Sequence, residues 1–96
     1  MLHHGVHPGD VLREELTEIG VSPSELARQI GVPANRISQI INRKRSVTGD
    51  TALRLGHWFK MSPQFWMNLQ SQFDLVAAER AAGARIAHLP SRSESR

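Results

Sequence analysis

Residues 22–45, SPSELARQIGVPANRISQIINRKR, admit very few folds. Pro23 and Pro33 each stand where a helix can begin, since proline's missing N–H is harmless at the first helical position. Ser22 and Glu25 make an S-x-x-E capping box around the first of them. Between the two start signals lies Gly31, where the chain must turn sharply and a side chain would strain it. Leu26, Ala27, Ile30, Val32, Ile37 and Ile40 are apolar or small at the positions where two crossing helices touch. The segment predicts two short helices joined by a tight turn, ending in the basic run Arg43, Lys44 and Arg45.

That layout is a helix-turn-helix, whose second helix enters the DNA major groove. With Ile37 and Ile40 pointing inward, the helical period turns Ala34, Asn35, Ser38 and Gln39 toward the groove, with Arg36 at the flank. Asn and Gln can make paired hydrogen bonds to adenine, Ser can pair with several bases, and Ala can meet a thymine methyl. Arg36 suits either a phosphate or a guanine edge. Arg43, Lys44 and Arg45 follow at the helix C-terminus, where cations also favour the helix dipole, and read as a phosphate clamp. Ser22 and Ser24 are further phosphate candidates because helix N-termini bind anions.

The rest of the chain supports an all-α domain. A first helix is predicted from Pro8 to about Ile19, with Leu12, Leu16 and Ile19 as its core stripe and Gly20 as its stop. The third helix runs from Pro33 to about Asn42. A fourth spans about 49 to 59, capped by Thr48, with Ala52, Leu53, Leu55 and Phe59 inward. Ser62 and Pro63 then open a fifth and longest helix, to about Ile86. The expected organisation is one five-helix domain over residues 1–86 and a disordered tail over 87–96.

Charge is distributed unevenly. The net value is only +3. Residues 1–25 nevertheless carry −4, residues 26–60 carry +6 and residues 61–96 carry +1. A basic segment centred on the reader helix is the electrostatic footprint of a DNA-binding protein. Cysteine is absent, which removes disulfides and thiolate metal sites. No apolar run approaches the roughly 20 residues that span a bilayer, and no secretory pattern opens the chain. A cytoplasmic protein of bacterial style is expected.

Three blocks narrow the reading further: HPGDVLREEL at 7–16, ELARQIGVPANRISQIINRKRSVTGDTALRLG at 25–56 and MSPQFWMNLQSQFDL at 61–75. Together they resemble the HigA family of antitoxins, a branch of the Cro/repressor-like helix-turn-helix group. The resemblance covers residues 7–78, and its middle block marks the larger group. It implies a homodimer that represses its own promoter through an inverted-repeat operator. It also implies binding of a HigB-like toxin, a basic ribonuclease that cuts translated messenger RNA. The family's groove-facing positions fall on Ala34, Asn35, Ser38 and Gln39. Arg43 and Lys60 stand where many relatives place glycine, and a left-handed non-glycine residue there costs roughly 1–2 kcal/mol. Asn42 can take that conformation more easily at the first site, and Ser62-Pro63 restarts the chain after the second.

Outside the motif, Asp10, Glu14 and Glu18 recur every four residues as an acidic ridge. The ridge is either a solvated face or a docking surface for a basic toxin. Along the fifth helix, Phe65, Trp66 and Leu69 read as core. Phe73, Leu75 and Val76, with the alanine-rich stretch after them, outrun a small core and read as a dimer surface. His3, His4, His7, His57 and His88 have neither metal-ligand spacing nor a catalytic triad around them, and His7 belongs to the start of the first helix. Glu14 and Glu15 likewise lack a convergent partner. No enzyme, metal site or cofactor is expected. Two other readings remain: a stand-alone repressor of the same fold without a toxin partner, and an interaction subunit that has lost DNA binding. The retained basic cluster argues against the second.

Overall fold

The computed structural model describes residues 5–93, and His3 and His4 lie outside them. Five helices follow one another: α1 (Pro8–Ile19), α2 (Pro23–Ile30), α3 (Ala34–Ile41), α4 (Gly49–Phe59) and α5 (Pro63–Ala87). Residues 88–93 hold neither helix nor strand, and 94–96 lie outside the described residues. Among the described residues there is no strand, and no helix is long and apolar enough to cross a membrane.

Capping explains the helix starts. The Nδ1 atom of His7 accepts from the Gly9 N–H at 2.9 Å, Ser22 Oγ from Glu25 N–H at 3.1 Å, and Ser62 Oγ from Gln64 N–H at 3.1 Å. Only half of the expected capping box forms, because the Glu25 carboxylate turns to Arg28 and Gln29 instead. Thr48 occupies the N-cap of α4 with no capping bond from its side chain. Arg43 itself, not Asn42, takes the left-handed conformation after α3: φ is 62° at Arg43 and −89° at Asn42. Its position lets the Lys44 N–H reach the Gln39 carbonyl at 2.7 Å and close the helix end. Lys60 does the same after α4, with φ 60°.

The core gathers Leu12 and Leu16 of α1, Leu26, Ala27 and Ile30 of α2, and Ile37, Ile40 and Ile41 of α3. Ala52 and Leu55 of α4, Trp66 and Leu69 of α5, and Val32 and Val47 from the connections on either side of α3 complete it. Two residues expected in it are outside. Leu53 is 64% exposed because Thr51, Ala52, Leu55 and Gly56 define the buried face of α4, and Leu53 points away from it. Ile19 shares the face of Leu12 but is the last residue of α1, and it is 50% exposed.

Two contacts fix α1. Gly9 lies so close to the end of α3 that a Cβ there would sit 1.8 Å from the Ile40 carbonyl oxygen. Just before it, the buried ring of His7 meets Phe73 of α5 edge-on, with centroids 4.8 Å apart. Gln70 ties α5 to the loop after α3 through a 2.8 Å bond from the Val47 N–H. Beyond Phe73 the core ends and α5 projects, so that the described chain, α5 included, extends 55 × 27 × 26 Å.

Gly9→Ala is expected to lower stability by about 1–3 kcal/mol or more, because backbone and not a flexible side chain fills the space; urea unfolding measures it. His7 gives a pH dependence. Burial holds its imidazole below the ordinary value, with Arg43 pushing the same way and Asp10 and Asp74 opposing. The unfolded chain therefore takes a proton near pH 6.5 that the fold refuses until lower pH. The urea midpoint is expected to be full above that value and to fall as pH drops below it. In His7→Asn, which keeps a cap acceptor without the titration, the fall near pH 6 is expected to shrink.

Candidate nucleic-acid interface

Helices α2 and α3 pack against each other across a turn that needs Gly31, whose φ is 73°. The Val32 N–H closes the turn on the Ala27 carbonyl at 3.0 Å. Ile37 and Ile40 are fully buried. The opposite face of α3 is thereby turned outward. Ala34 and Asn35 are exposed there, while Arg36, Ser38 and Gln39 are half-exposed along the same helix.

The polar side chains on this face are partly pre-arranged. Ser38 Oγ donates to the Asn35 carbonyl at 3.3 Å. Gln39 Oε1 accepts from Arg45 Nε at 3.0 Å, which orients the amide; a carbonyl oxygen has a second lone pair for an adenine amino group. Arg36 Nη1 donates to Asp50 Oδ2 at 3.0 Å. That same oxygen accepts from Arg54 Nε at 2.9 Å.

The three cations after α3 are not equivalent. Arg43 makes a two-point pair with Asp10, Nε to Oδ1 at 3.1 Å and Nη2 to Oδ2 at 2.6 Å. Its hydrogen bonds hold the Asp10 carboxyl below the usual carboxylate range. In this pairing Arg43 ties the end of α3 to the first turn of α1, while Lys44 stays exposed. The same pair divides the acidic ridge: Asp10 faces Arg43, and Glu14 and Glu18 remain exposed on α1. Ser22 is engaged as a cap, and Ser24 beside it is exposed.

On α5 the expected dimer residues separate as well. Phe73 is half-buried against His7, Val76 lies under Gly5, and Leu75 is 66% exposed. Shallow apolar clefts of about 380 and 360 Å³ flank the helix here, the first beside Val76 and Ala77 and the second beside Leu75 and Ile86. Among the described residues no group of His, Asp or Glu is arranged to hold a metal ion.

Sequence reasoning passed over Asp50 and Arg54. Their signals were present: a carboxylate four residues before an arginine, and the one acid among seven cations in residues 26–60. Trp58 was also missed; its indole N–H donates to Gln29 Oε1 at 2.7 Å and links α4 to α2.

A polar helix face mounted on a buried two-helix scaffold beside a basic turn defines a helix-turn-helix DNA-binding protein. The helix-turn-helix family model matches residues 12–66. Among solved structures, an addiction module antidote protein of the HigA family from Coxiella burnetii is 38% identical, with a TM-score of 0.90, covering 94% of this chain and 99% of that one. Antitoxin HigA of Pseudomonas aeruginosa, solved with the higBA promoter, is 43% identical, with a TM-score of 0.88, covering 91% and 96%. Virulence-associated protein I of Dichelobacter nodosus is 43% identical over 76 residues, which are 78% of this chain and 70% of that protein. The chain belongs to the HigA family of antitoxins.

Asp10→Asn is expected to release Arg43. Binding to duplex DNA of any sequence should then tighten slightly, and its salt dependence should steepen by up to about 0.9 in slope for each phosphate gained. Fluorescence anisotropy over a salt series checks this, and unchanged affinity and slope would leave Arg43 as a brace alone.

Proposed function

We propose that this chain is a cytoplasmic antitoxin that represses its own promoter and neutralises a HigB-like ribonuclease. The observation that carries the DNA half is the outward face of α3, with Ala34, Asn35, Ser38 and Gln39 beside Lys44 and Arg45. In this reading the four face residues meet base edges, and Lys44 and Arg45, with Ser22 and Ser24 at the start of α2, meet phosphates.

A two-fold operator requires two such helices about 34 Å apart. We assign that pairing to the projecting part of α5, through Phe73, Leu75 and Val76. The exposure of Leu75 and the apolar clefts on both flanks of the helix support the assignment. For the toxin, the exposed acids Glu14 and Glu18 offer a surface whose potential complements a basic ribonuclease. A gene for a small basic protein next to this one favours the toxin partner; its absence favours a stand-alone repressor of the same fold.

Titration of the protein's own promoter tests the division of labour. Gln39→Ala is expected to relax preference at one base pair, at a cost of about 1–3 kcal/mol in discrimination. Lys44→Ala is expected to weaken all sequences alike and to flatten the salt slope by roughly 0.9. Loss of specific binding alone in both variants would contradict this sorting.

A further inference from the structure

Arg36 has chemistry that fits either a guanine edge or a phosphate, and its surroundings separate the two. Its Nη1 donates to Asp50 Oδ2 at 3.0 Å, and Arg54 Nε donates to that oxygen at 2.9 Å. Arg54 in turn donates through Nη1 to the Ile30 carbonyl at 2.7 Å and, longer, to the Gly31 carbonyl at 3.4 Å. A continuous brace therefore runs from the Ile30 and Gly31 carbonyls at the end of α2, through α4, to Arg36 on the flank of α3. Gly31 helps make room for it, since a Cβ there would lie 3.3 Å from Arg54 Nη1.

Asp50 is well placed to stay ionised. It sits in the first turn of α4, where the helix dipole favours a carboxylate. Its hydrogen bonds to Arg54 and Arg36 hold its pKa below the usual range. With the Arg36 and Asp50 side chains 28% and 56% accessible, the pair contributes little to stability. Its effect lies in orientation.

Orientation matters differently for the two possible ligands. A phosphate contact works through net positive charge and tolerates a swinging side chain. A carboxylate 3.0 Å from the guanidinium offsets part of that charge, even shared with Arg54, and brings a negative group toward the phosphate. A base contact needs the flat guanidinium fork held in one plane, and a fork already braced loses less freedom on binding. Only one of the five N–H donors of Arg36 is required for Asp50, so a two-point contact to guanine O6 and N7 remains open.

We propose that Asp50 is a positioning residue that makes Arg36 a guanine reader, with Arg54 anchoring Asp50 to the helix-turn-helix turn. This assignment rests on the operator-binding reading above.

Selection from a randomised DNA duplex pool tests it with the full-length wild type, Asp50→Asn and Arg36→Lys. Wild type is expected to enrich a site with one fixed guanine in each half. Asp50→Asn is expected to lose about tenfold in preference at that guanine, with the loss confined to that base pair. Arg36→Lys, which keeps the charge but removes the fork, is expected to lose preference at the same position and gives a second reading should Asp50→Asn unfold. Tighter binding of Asp50→Asn to all sequences, with a steeper salt slope and the guanine preference intact, would make Arg36 a phosphate contact and overturn the proposal. A uniform loss at every position would reduce the brace to a structural role and overturn it too. Wild type that enriches no sequence would overturn the operator-binding reading itself, a different failure.

Discussion

The rotation of α3 about its own axis is set by Ile37 and Ile40, both fully buried against α1 and α2. Everything proposed for the outer face follows from that constraint. A helix of eight residues has little stability alone, so its packing decides which side chains meet solvent. Gly31 permits the tight turn that brings α2 across α3, and Gly9 lets α1 close over the far end. The outward face of α3 is the consequence of a small, well-filled core.

Electrostatics adds a second layer. The basic segment looks like an undivided positive patch in one dimension. In three dimensions Arg43 is tied to Asp10, Arg36 and Arg54 share Asp50, and Arg45 orients Gln39. Exposed ion pairs contribute little to stability. They do decide which cations are free to meet phosphates and which are held at set angles. Lys44 belongs to the first group and Arg36 to the second.

Much of this was legible in the chain. Serine and proline pairs marked two helix starts because capping is local chemistry, and the spacing of Ile37 and Ile40 revealed the inner face of α3. Legibility ended where an outcome depended on a partner far along the chain. Asp10 and Arg43 are 33 residues apart, and Arg36 and Asp50 are 14 apart, so neither pair leaves a periodic trace. Leu53 was misplaced because an apolar residue next to Ala52 gives no hint of which side of α4 the core will choose. Arg43 took the left-handed position in place of Asn42, and propensity alone favoured the asparagine. For α5 the chain signalled an apolar surplus but not that Phe73 would turn back onto His7.

The central claim is that α3 is the surface that meets DNA. Amide chemical-shift mapping of the isotope-labelled protein, titrated with a duplex from its own promoter, tests it most directly. The account predicts the largest shifts across residues 34–39 and at Lys44 and Arg45. Large shifts along the projecting part of α5, with 34–39 unmoved, would contradict it.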